Sequence, residues 1–277
     1  MNPITEDGSS RINSKGAFCE LLNGRMPSEN TSFRLLIESF DDEILKRHPK
    51  ITQNALNNVH GSWYEWLISI SFINYHISHP ESFVVFPLPN ITQFDVARLY
   101  TDELYDLVVD LRRKVNEAAS VQLITSNPDF VIFDSRNLDV SDAFTTQINV
   151  LDEGVIRQIM NAYSAYASRC GFEDIVGYVS AKLSLRPDRR LQIPHEGSLM
   201  KAIYTHIQTR KWVIHPNGLK YYAFTSRATE PDKNALKTVA THSITTVFDT
   251  PQAAVDDLFE IDTIEQCNTV FDKILIA

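Results

Sequence analysis

The chain has 277 residues, of which 43% are hydrophobic and 10% aromatic, a composition that supports a real core and excludes a largely disordered protein. Its net charge of −9 argues mildly against nucleic-acid binding, because proteins of that class are often basic. No apolar stretch has the length of a membrane span, and the polar N-terminus lacks the order of a signal peptide. We therefore expect a cytoplasmic protein without a membrane partner.

The three cysteines, Cys19, Cys170 and Cys267, are far apart in the chain and odd in number. This spacing predicts reduced, mostly packed thiols rather than a disulfide framework or a zinc site. We interpret residues 1–30 as a mobile or partly ordered N-terminal arm. Residues 31–277 are interpreted as one domain.

Hydrophobic spacing in the first half of the chain predicts mainly helices, interrupted by short apolar runs of β type. The predicted helices cover residues 32–47, 61–77 and 96–119, and the predicted strands cover 82–86, 121–125 and 130–133.

In the second half, helices and strands alternate more regularly. The predicted helices cover 151–170, 196–211 and 249–259, and the predicted strands cover 175–185, 220–225 and 236–240. This alternation predicts an α/β fold with a mixed central β-sheet flanked by helices.

Ser180 and Lys182 lie two positions apart on the predicted strand 175–185, so their side chains face the same side. A lysine beside a core strand and close to acids is a candidate for positioning a phosphate or a water molecule. Taken alone, Lys182 is also explained as an ordinary solvent-facing lysine on an edge strand.

Three carboxylates are candidates for the same site. Asp129 precedes an apolar strand, Glu196 lies at the start of the predicted helix 196–211, and Glu65 lies on an otherwise apolar helix. Each has an ordinary structural explanation by itself, such as a turn residue or a favourable charge at a helix N-terminus. Together with Lys182 they form the set that Mg²⁺-dependent phosphodiester chemistry requires, because hard divalent ions prefer carboxylate oxygens.

Charged residues follow the lysine strand directly, at Arg186, Asp188, Arg189 and Arg190. Arginine can bind guanine O6 and N7 in the major groove, and aspartate can accept a hydrogen bond from cytosine N4. A solvated, self-paired charged turn explains the same residues equally well. The segment 169–220 contains nine basic and four acidic residues, so a locally positive face on an acidic protein is predicted.

The pattern K-x₃-R-P-D-R, formed by Lys182, Arg186, Pro187, Asp188 and Arg189, resembles the signature of the CCGG-family type II restriction endonucleases. Its four charged positions would recur by chance in roughly one chain of this length in 300. Residues 190–210, the SNPDF and GSWYEWLI stretches and residues 236–245 extend the resemblance over most of residues 60–250. It is strongest to members that cut R/CCGGY, where R is a purine and Y a pyrimidine.

This resemblance implies a restriction-endonuclease-like core of the PD-(D/E)xK type over about residues 60–250, acting in a prokaryotic cell. Asp129, Glu196 and Glu65 would bind Mg²⁺, and Lys182 would orient or activate the attacking water. Glu196 would replace the acid that many related nucleases carry two positions before the lysine, where this chain has Ser180.

For DNA recognition, the resemblance implies base contacts from the segment that follows the lysine strand. The DNA-contacting set comprises Arg186, Asp188, Arg189, Arg190 and Ser180. The expected substrate is double-stranded DNA, and the palindromic site implies a homodimer or a homotetramer.

Three other functions remain open from sequence. A repair or recombination nuclease of the same fold would not need a base-contacting segment, and a DNA-binding module with a decayed site would not need all of Asp129, Lys182 and Glu196. A metabolic hydrolase using the same carboxylates has no phosphate-binding glycine loop or HExxH motif to support it. His195, His206 and His242 are interpreted as structural residues.

Overall fold

The computed structural model describes residues 4–5, 11–80, 83–91, 93–121, 123, 127–134, 144–244 and 251–274. The helices are α1 Ser14–Leu21, α2 Phe33–Arg47, α3 Gln53–Ser78, α4 Asp102–Ala119, α5 Glu153–Asn161, α6 Pro187–Arg210, α7 Glu230–Leu236, α8 Thr241–Ile244 and α9 Ile264–Ile274. The strands are β1 Val84–Pro87, β2 Phe130–Phe133, β3 Ile175–Lys182, β4 Lys220–Thr225 and β5 Asp257–Glu260. Among these described residues, no helix is both long and apolar enough to cross a membrane.

The five strands form one mixed sheet in the order β1-β2-β3-β4-β5. The pairs β1/β2 and β2/β3 are antiparallel, whereas β3/β4 and β4/β5 are parallel. Helix α6 provides the crossover that a parallel β3/β4 pair requires. The predicted α/β fold with a mixed sheet flanked by helices is therefore confirmed.

Helices α3 and α6 lie on opposite faces of this sheet, as two residues of β4 that are three positions apart show. The Phe224 ring packs against Phe72 of α3, with 5.9 Å between ring centroids. Tyr221, three positions earlier on the same strand, points to the opposite face and donates a hydrogen bond to Glu196 of α6. Because side chains alternate across a strand, the two helices cover different faces.

Aromatic packing around α3 forms the centre of the core. Trp63 and Tyr64 are fully buried, and Phe72 stacks on Phe271 of α9 at 3.7 Å between centroids. Helix α1 joins the same core, because Phe18 is fully buried in an edge-on contact with Trp66. The interpretation of residues 1–30 as an arm did not include this helix. The division into an arm and a domain stays a prediction.

The bounds predicted for three elements with a strong apolar pattern agree with the structure to within a few residues. The predicted range 32–47 matches α2, 130–133 matches β2, and 220–225 matches β4. Several boundaries differ. The predicted helix 61–77 begins earlier, at Gln53, where Thr52 caps it. Its first two turns are mostly polar, so hydrophobic spacing did not indicate them. The predicted helix 96–119 is a short 3₁₀ segment followed by α4, since Tyr100 between them pairs with Cys170.

Other boundaries were approximate. The predicted strand 82–86 is β1 at Val84–Pro87, with residue 82 outside the described residues, and the predicted strand 121–125 falls largely outside them. The predicted helix 151–170 is α5 followed by a 3₁₀ segment, and the strand 175–185 ends at Lys182.

Two predicted elements near the C-terminus were wrong. Residue 236 ends helix α7 rather than starting a strand, and only Val239 forms an isolated bridge, to Ala253. The predicted helix 249–259 is absent from its described part, which contains an isolated bridge at Ala253 and then the edge strand β5, parallel to β4. Helix α9 was not predicted. The capping box of α7, between Thr229 and Asp232, is a local signal that would have identified that helix.

Glycine at position 197 allows α6 to approach the sheet closely. A Cβ atom at Gly197 would lie 2.1 Å from the carbonyl oxygen of Ala254 and 2.9 Å from the Tyr221 ring. Because backbone cannot move as easily as a side chain, we expect Gly197→Ala to destabilise the protein by roughly 1–3 kcal/mol, although alanine is the better helix former.

Gly61 provides the matched control, since it lies inside α3 with no atom within 4 Å of its missing Cβ. Gly61→Ala should stabilise the protein by roughly 0.5–1 kcal/mol. Urea unfolding of both variants measures the difference. Equal free energies of unfolding for the two variants would contradict the close approach of α6.

Candidate active site

Asp129 lies immediately before β2, where its main chain is fixed on both sides. Its amide donates to the carbonyl oxygen of Val179 and its carbonyl oxygen accepts from the amide of Leu88. The residue is 6% exposed, so its carboxylate depends on protein donors. Those donors are Lys182 Nζ at 2.8 and 2.6 Å, the Ala181 amide at 2.7 Å and the Ser180 hydroxyl at 3.3 Å.

Lys182 ends strand β3 and is mostly buried, with 18% of its side chain exposed. Burial alone would lower the pKa of this ammonium group, but the charges of Asp129, Glu65 and Glu196 outweigh it and raise the pKa above the usual value. Lys182 is therefore positively charged at neutral pH. The prediction that the side chains of Ser180 and Lys182 face the same side is confirmed, since both contact Asp129.

Glu65, on α3, approaches this pair from one face of the sheet. Burial, and then the charge of Asp129, raise the pKa of Glu65 to about 8, although Lys182 acts in the opposite direction. Two carboxylates that repel each other in a buried place would both ionise readily only beside an additional cation.

Glu196 approaches from the other face, on α6. It is 3% exposed, and both of its oxygens accept hydrogen bonds: Oε1 from Gln192 Nε2 at 2.7 Å and Oε2 from the Tyr221 hydroxyl at 2.8 Å. The sequence interpretation put Glu196 at the start of a helix, and this was wrong. Helix α6 begins at Pro187, a favourable first residue, so Glu196 lies in its middle.

Three carboxylates thus surround one lysine, and the charge of each raises the pKa of Lys182. Their chemistry suits a hard divalent cation, since all the donors are carboxylate oxygens. Among the described residues, however, no group of three or more acidic, histidine or cysteine side chains is close enough to hold a metal ion. The carboxylates predicted to bind Mg²⁺ do not form a ready-made ligand set in this arrangement.

The residues predicted to contact DNA bases fall on the first turn of α6. Arg186 is the N-cap residue, and its side chain is 65% exposed, while that of Asp188 is 60% exposed. Arg189 is 32% exposed and donates to Gln192 Oε1 at 2.5 Å. The charged segment after β3 is therefore a helix N-terminus presented to solvent rather than a loop.

Arg190 and Ser180 are placed differently from these three. Arg190 Nε donates to the buried carboxylate of Asp232 at 2.7 Å, an ion pair that fixes α6 to α7. Ser180 is fully buried and points at Asp129, so it lies away from any surface that DNA could contact. Its position supports a role in holding Asp129 instead of the predicted DNA contact.

The basic segment 169–220 is less positive at its surface than its composition suggests. Lys182, Arg190 and Lys201 are each paired with an aspartate, and Lys201 is 3% exposed beside Asp256. Sequence reasoning counted these charges as available to a polyanion, but internal pairing removes three of the nine.

Two side chains that complete the site were missed from sequence. Tyr221 is fully buried, and Gln192 is partly buried; both bind Glu196. The i,i+4 spacing of Gln192 and Glu196 on a helix is a signal that could have found the glutamine. Nothing local identifies Tyr221, because its contact with Glu196 depends on how α6 crosses β4.

Comparison with known proteins identifies the family of the chain. The model of the Cfr10I/Bse634I restriction endonuclease family matches residues 1–277. Among curated proteins, the chain is 41% identical over 246 residues to the type II restriction enzyme Cfr10I from Citrobacter freundii, covering 87% of this chain and 85% of that enzyme.

Solved structures give the same result. The Bse634I restriction endonuclease superposes with a TM-score of 0.86 at 30% identity, covering 98% of this chain and 95% of its own. The type IIF enzyme Bse634I with cognate DNA superposes with a TM-score of 0.87 at 28% identity over 99% of both chains. The resemblance stated from the sequence is confirmed: the chain belongs to the Cfr10I/Bse634I family of type II restriction endonucleases.

Proposed function

We propose that this restriction endonuclease requires Mg²⁺ and cuts double-stranded DNA at a palindromic site with a CCGG core, R/CCGGY being the full site. The observation that carries the proposal is the buried Asp129–Lys182 pair, at 2.6 Å, at the end of β3. Helix α6, which bears the exposed Arg186 and Asp188 at its start, follows that strand directly. Catalytic and base-contacting groups are thus joined by a few residues of chain.

Asp129 and Glu196, with Glu65, would hold the Mg²⁺ ion, which supplies charge stabilisation for the phosphate and the leaving oxygen when bound. Their donor set fits this ion. The raised pKa of Glu65 indicates that the protein alone does not neutralise the cluster. Asp129 precedes β2, whereas Glu65 and Glu196 lie on α3 and α6, so movement of these two helices would bring the carboxylate oxygens together.

Lys182 would orient the attacking water and place a positive charge beside the scissile phosphate. Its amine is fixed by both oxygens of Asp129, so its position is set by the sheet rather than by a loop. Water would attack phosphorus in line with the 3′ oxygen, breaking the P–O3′ bond. The products would carry a 5′ phosphate and a 3′ hydroxyl group.

Base recognition would use the first turn of α6. Arg186 and Arg189 carry guanidinium groups that can bind guanine O6 and N7, and Asp188 can accept from cytosine N4. The partial positive charge of the helix N-terminus adds attraction for the DNA backbone. Arg190 would contribute chiefly by fixing this turn to Asp232.

Assembly follows from the symmetry of the site. A palindrome presents two equivalent scissile phosphates, so two copies of the chain related by a two-fold axis would place one active site on each strand. A homodimer or a homotetramer meets this requirement. The structural neighbour bound to cognate DNA supports a DNA partner, and action on incoming DNA would take place in the cytoplasm of a prokaryotic cell.

The direct test is digestion of a sequenced plasmid with Mg²⁺, beside an EDTA control, with the fragment ends sequenced. Discrete ends at R/CCGGY sites that are absent with EDTA are expected. Discrete ends at a different sequence would refute the CCGG assignment while leaving the metal requirement intact. Cutting in EDTA would refute the metal requirement.

Lys182→Met should reduce cleavage by about 10²–10³-fold, the usual cost of removing one group that stabilises charge in the transition state, while gel-shift binding of the cognate duplex in EDTA persists. The control is Lys201→Met, because Lys201 is also buried and paired with an aspartate at 2.7 Å. Both variants lose an ion pair and some stability. When rates are compared per amount of folded enzyme, only Lys182→Met should lose DNA cleavage. Equal cleavage rates in the two variants would remove Lys182 from the reaction.

Glu65→Gln tests the raised carboxyl pKa in metal-free protein. In the folded state Glu65 keeps its proton up to about pH 8, whereas an unfolded glutamate ionises near its model value of 4.5. The wild type should therefore lose stability as pH rises between these values. Urea unfolding in EDTA at pH 5 and pH 8.5 should show a smaller loss for Glu65→Gln, and parallel pH profiles would contradict the assignment.

Arg189→Ala should lower discrimination between CCGG and a core with one altered base pair by roughly 1–3 kcal/mol. The control is Arg34→Ala, since Arg34 is an exposed arginine paired with Glu38 on α2. Competition binding in EDTA measures the preference. An unchanged preference in Arg189→Ala would remove Arg189 from base recognition.

A further inference from the structure

Gln192 connects a base-contacting candidate with a metal-binding candidate. Its Oε1 accepts from Arg189 Nη1 at 2.5 Å, and its Nε2 donates to Glu196 Oε1 at 2.7 Å. The three residues lie on one face of α6 at spacings of three and four, which places each beside the next. They form a continuous hydrogen-bonded row from the exposed start of the helix to the buried site.

The orientation of the Gln192 amide follows from its two neighbours. A guanidinium group can only donate hydrogen bonds, and an ionised carboxylate can only accept them. The amide oxygen must therefore face Arg189 and the amide nitrogen must face Glu196. Because the amide is planar, its two ends cannot turn independently.

Glu196 is held away from a shared ligand position by this arrangement. Gln192 and the Tyr221 hydroxyl each donate a hydrogen bond to one of its carboxylate oxygens, which fixes the orientation of the carboxylate. In this orientation, the described residues contain no group of three acids close enough for a metal ion. Because the acids are not close enough to share a metal ion as they stand, Glu196 would have to turn toward Asp129 and Glu65, and that turn would loosen its contact with Gln192.

We propose that Gln192 is a positioning residue that couples base contact by Arg189 to the release of Glu196 for the metal site; this inference rests on the proposed function. When Arg189 directs its terminal nitrogens to a guanine, Gln192 loses the donor that fixes its oxygen. The amide is then free to turn, and Glu196 Oε1 loses a hydrogen bond. A wrong base leaves Arg189 on Gln192 and leaves Glu196 held.

The consequence is discrimination in the cleavage step beyond that in binding. In the wild type, replacing one G·C pair of the core by A·T should slow single-turnover cleavage by a larger factor than it weakens binding. The ratio of these two factors measures the coupling. If Gln192 only supported the fold, replacing it would leave this ratio unchanged.

Gln192→Met tests the proposal, since methionine keeps the length of glutamine and favours helix without forming these hydrogen bonds. We expect the ratio to fall at least tenfold, while binding discrimination measured in EDTA stays as in the wild type. The control is Gln208→Met, on the last turn of the same helix, where the glutamine donates to the carbonyl oxygen of Val213. It should leave the ratio unchanged.

The other outcomes overturn the proposal. Equal slowing of cleavage on both duplexes would show that Gln192 merely supports Glu196. A parallel loss of binding discrimination would show that it acts only through the base contact of Arg189. An unchanged ratio would show no coupling. Failure of the proposed function is seen separately, because the wild type would then not cut CCGG DNA at all.

Discussion

The ion pair between Asp129 and Lys182 is the constraint on which the rest of this structure depends. A carboxylate that is almost entirely buried requires a partner, because an unpaired charge in the protein interior costs several kcal/mol. Strand β3 supplies that partner together with the Ala181 amide and the Ser180 hydroxyl. One short stretch of chain thus provides the hydrogen-bond donors for the carboxylate. The same stretch leads directly into helix α6, which ties the position of the acid to the position of the turn proposed to contact bases.

The mixed sheet explains how further acids reach this pair. Asp129 precedes β2, and Lys182 ends the neighbouring β3, so the sheet brings together residues more than fifty positions apart in the chain. Helices on the two faces then add Glu65 and Glu196. The nearby negative charge raises the pKa of Lys182, and burial together with the charge of Asp129 raises the pKa of Glu65. An overall acidic protein can act on DNA because this cluster suits a divalent cation and because charges elsewhere are screened over about 10 Å.

The Asp129–Lys182 pair could be predicted from sequence because its residues belong to local motifs with a definite chemistry; the turn proposed to contact bases is exposed, and its role stays a prediction. Sequence reasoning misplaced Glu196 at a helix start because the charged first turn at Arg186 and the internal Pro194 obscure the apolar pattern of α6. It also counted Arg190 among DNA contacts, although the partner that occupies it, Asp232, lies 42 residues away and is found only by folding the chain. Tyr221 was invisible for the same reason. Hydrophobic periodicity and motif spacing describe neighbours along the chain, whereas these contacts depend on the crossing of helix and sheet.

The most direct measurement is a crystal structure of the wild-type protein with a duplex containing R/CCGGY and with Ca²⁺ in place of Mg²⁺. We expect a cation about 2.3–2.6 Å from a carboxylate oxygen of Asp129, with the scissile phosphate beside Lys182 and the Arg189 guanidinium on a guanine. A cation bound away from Asp129, or a DNA duplex that does not approach the start of α6, would contradict the account.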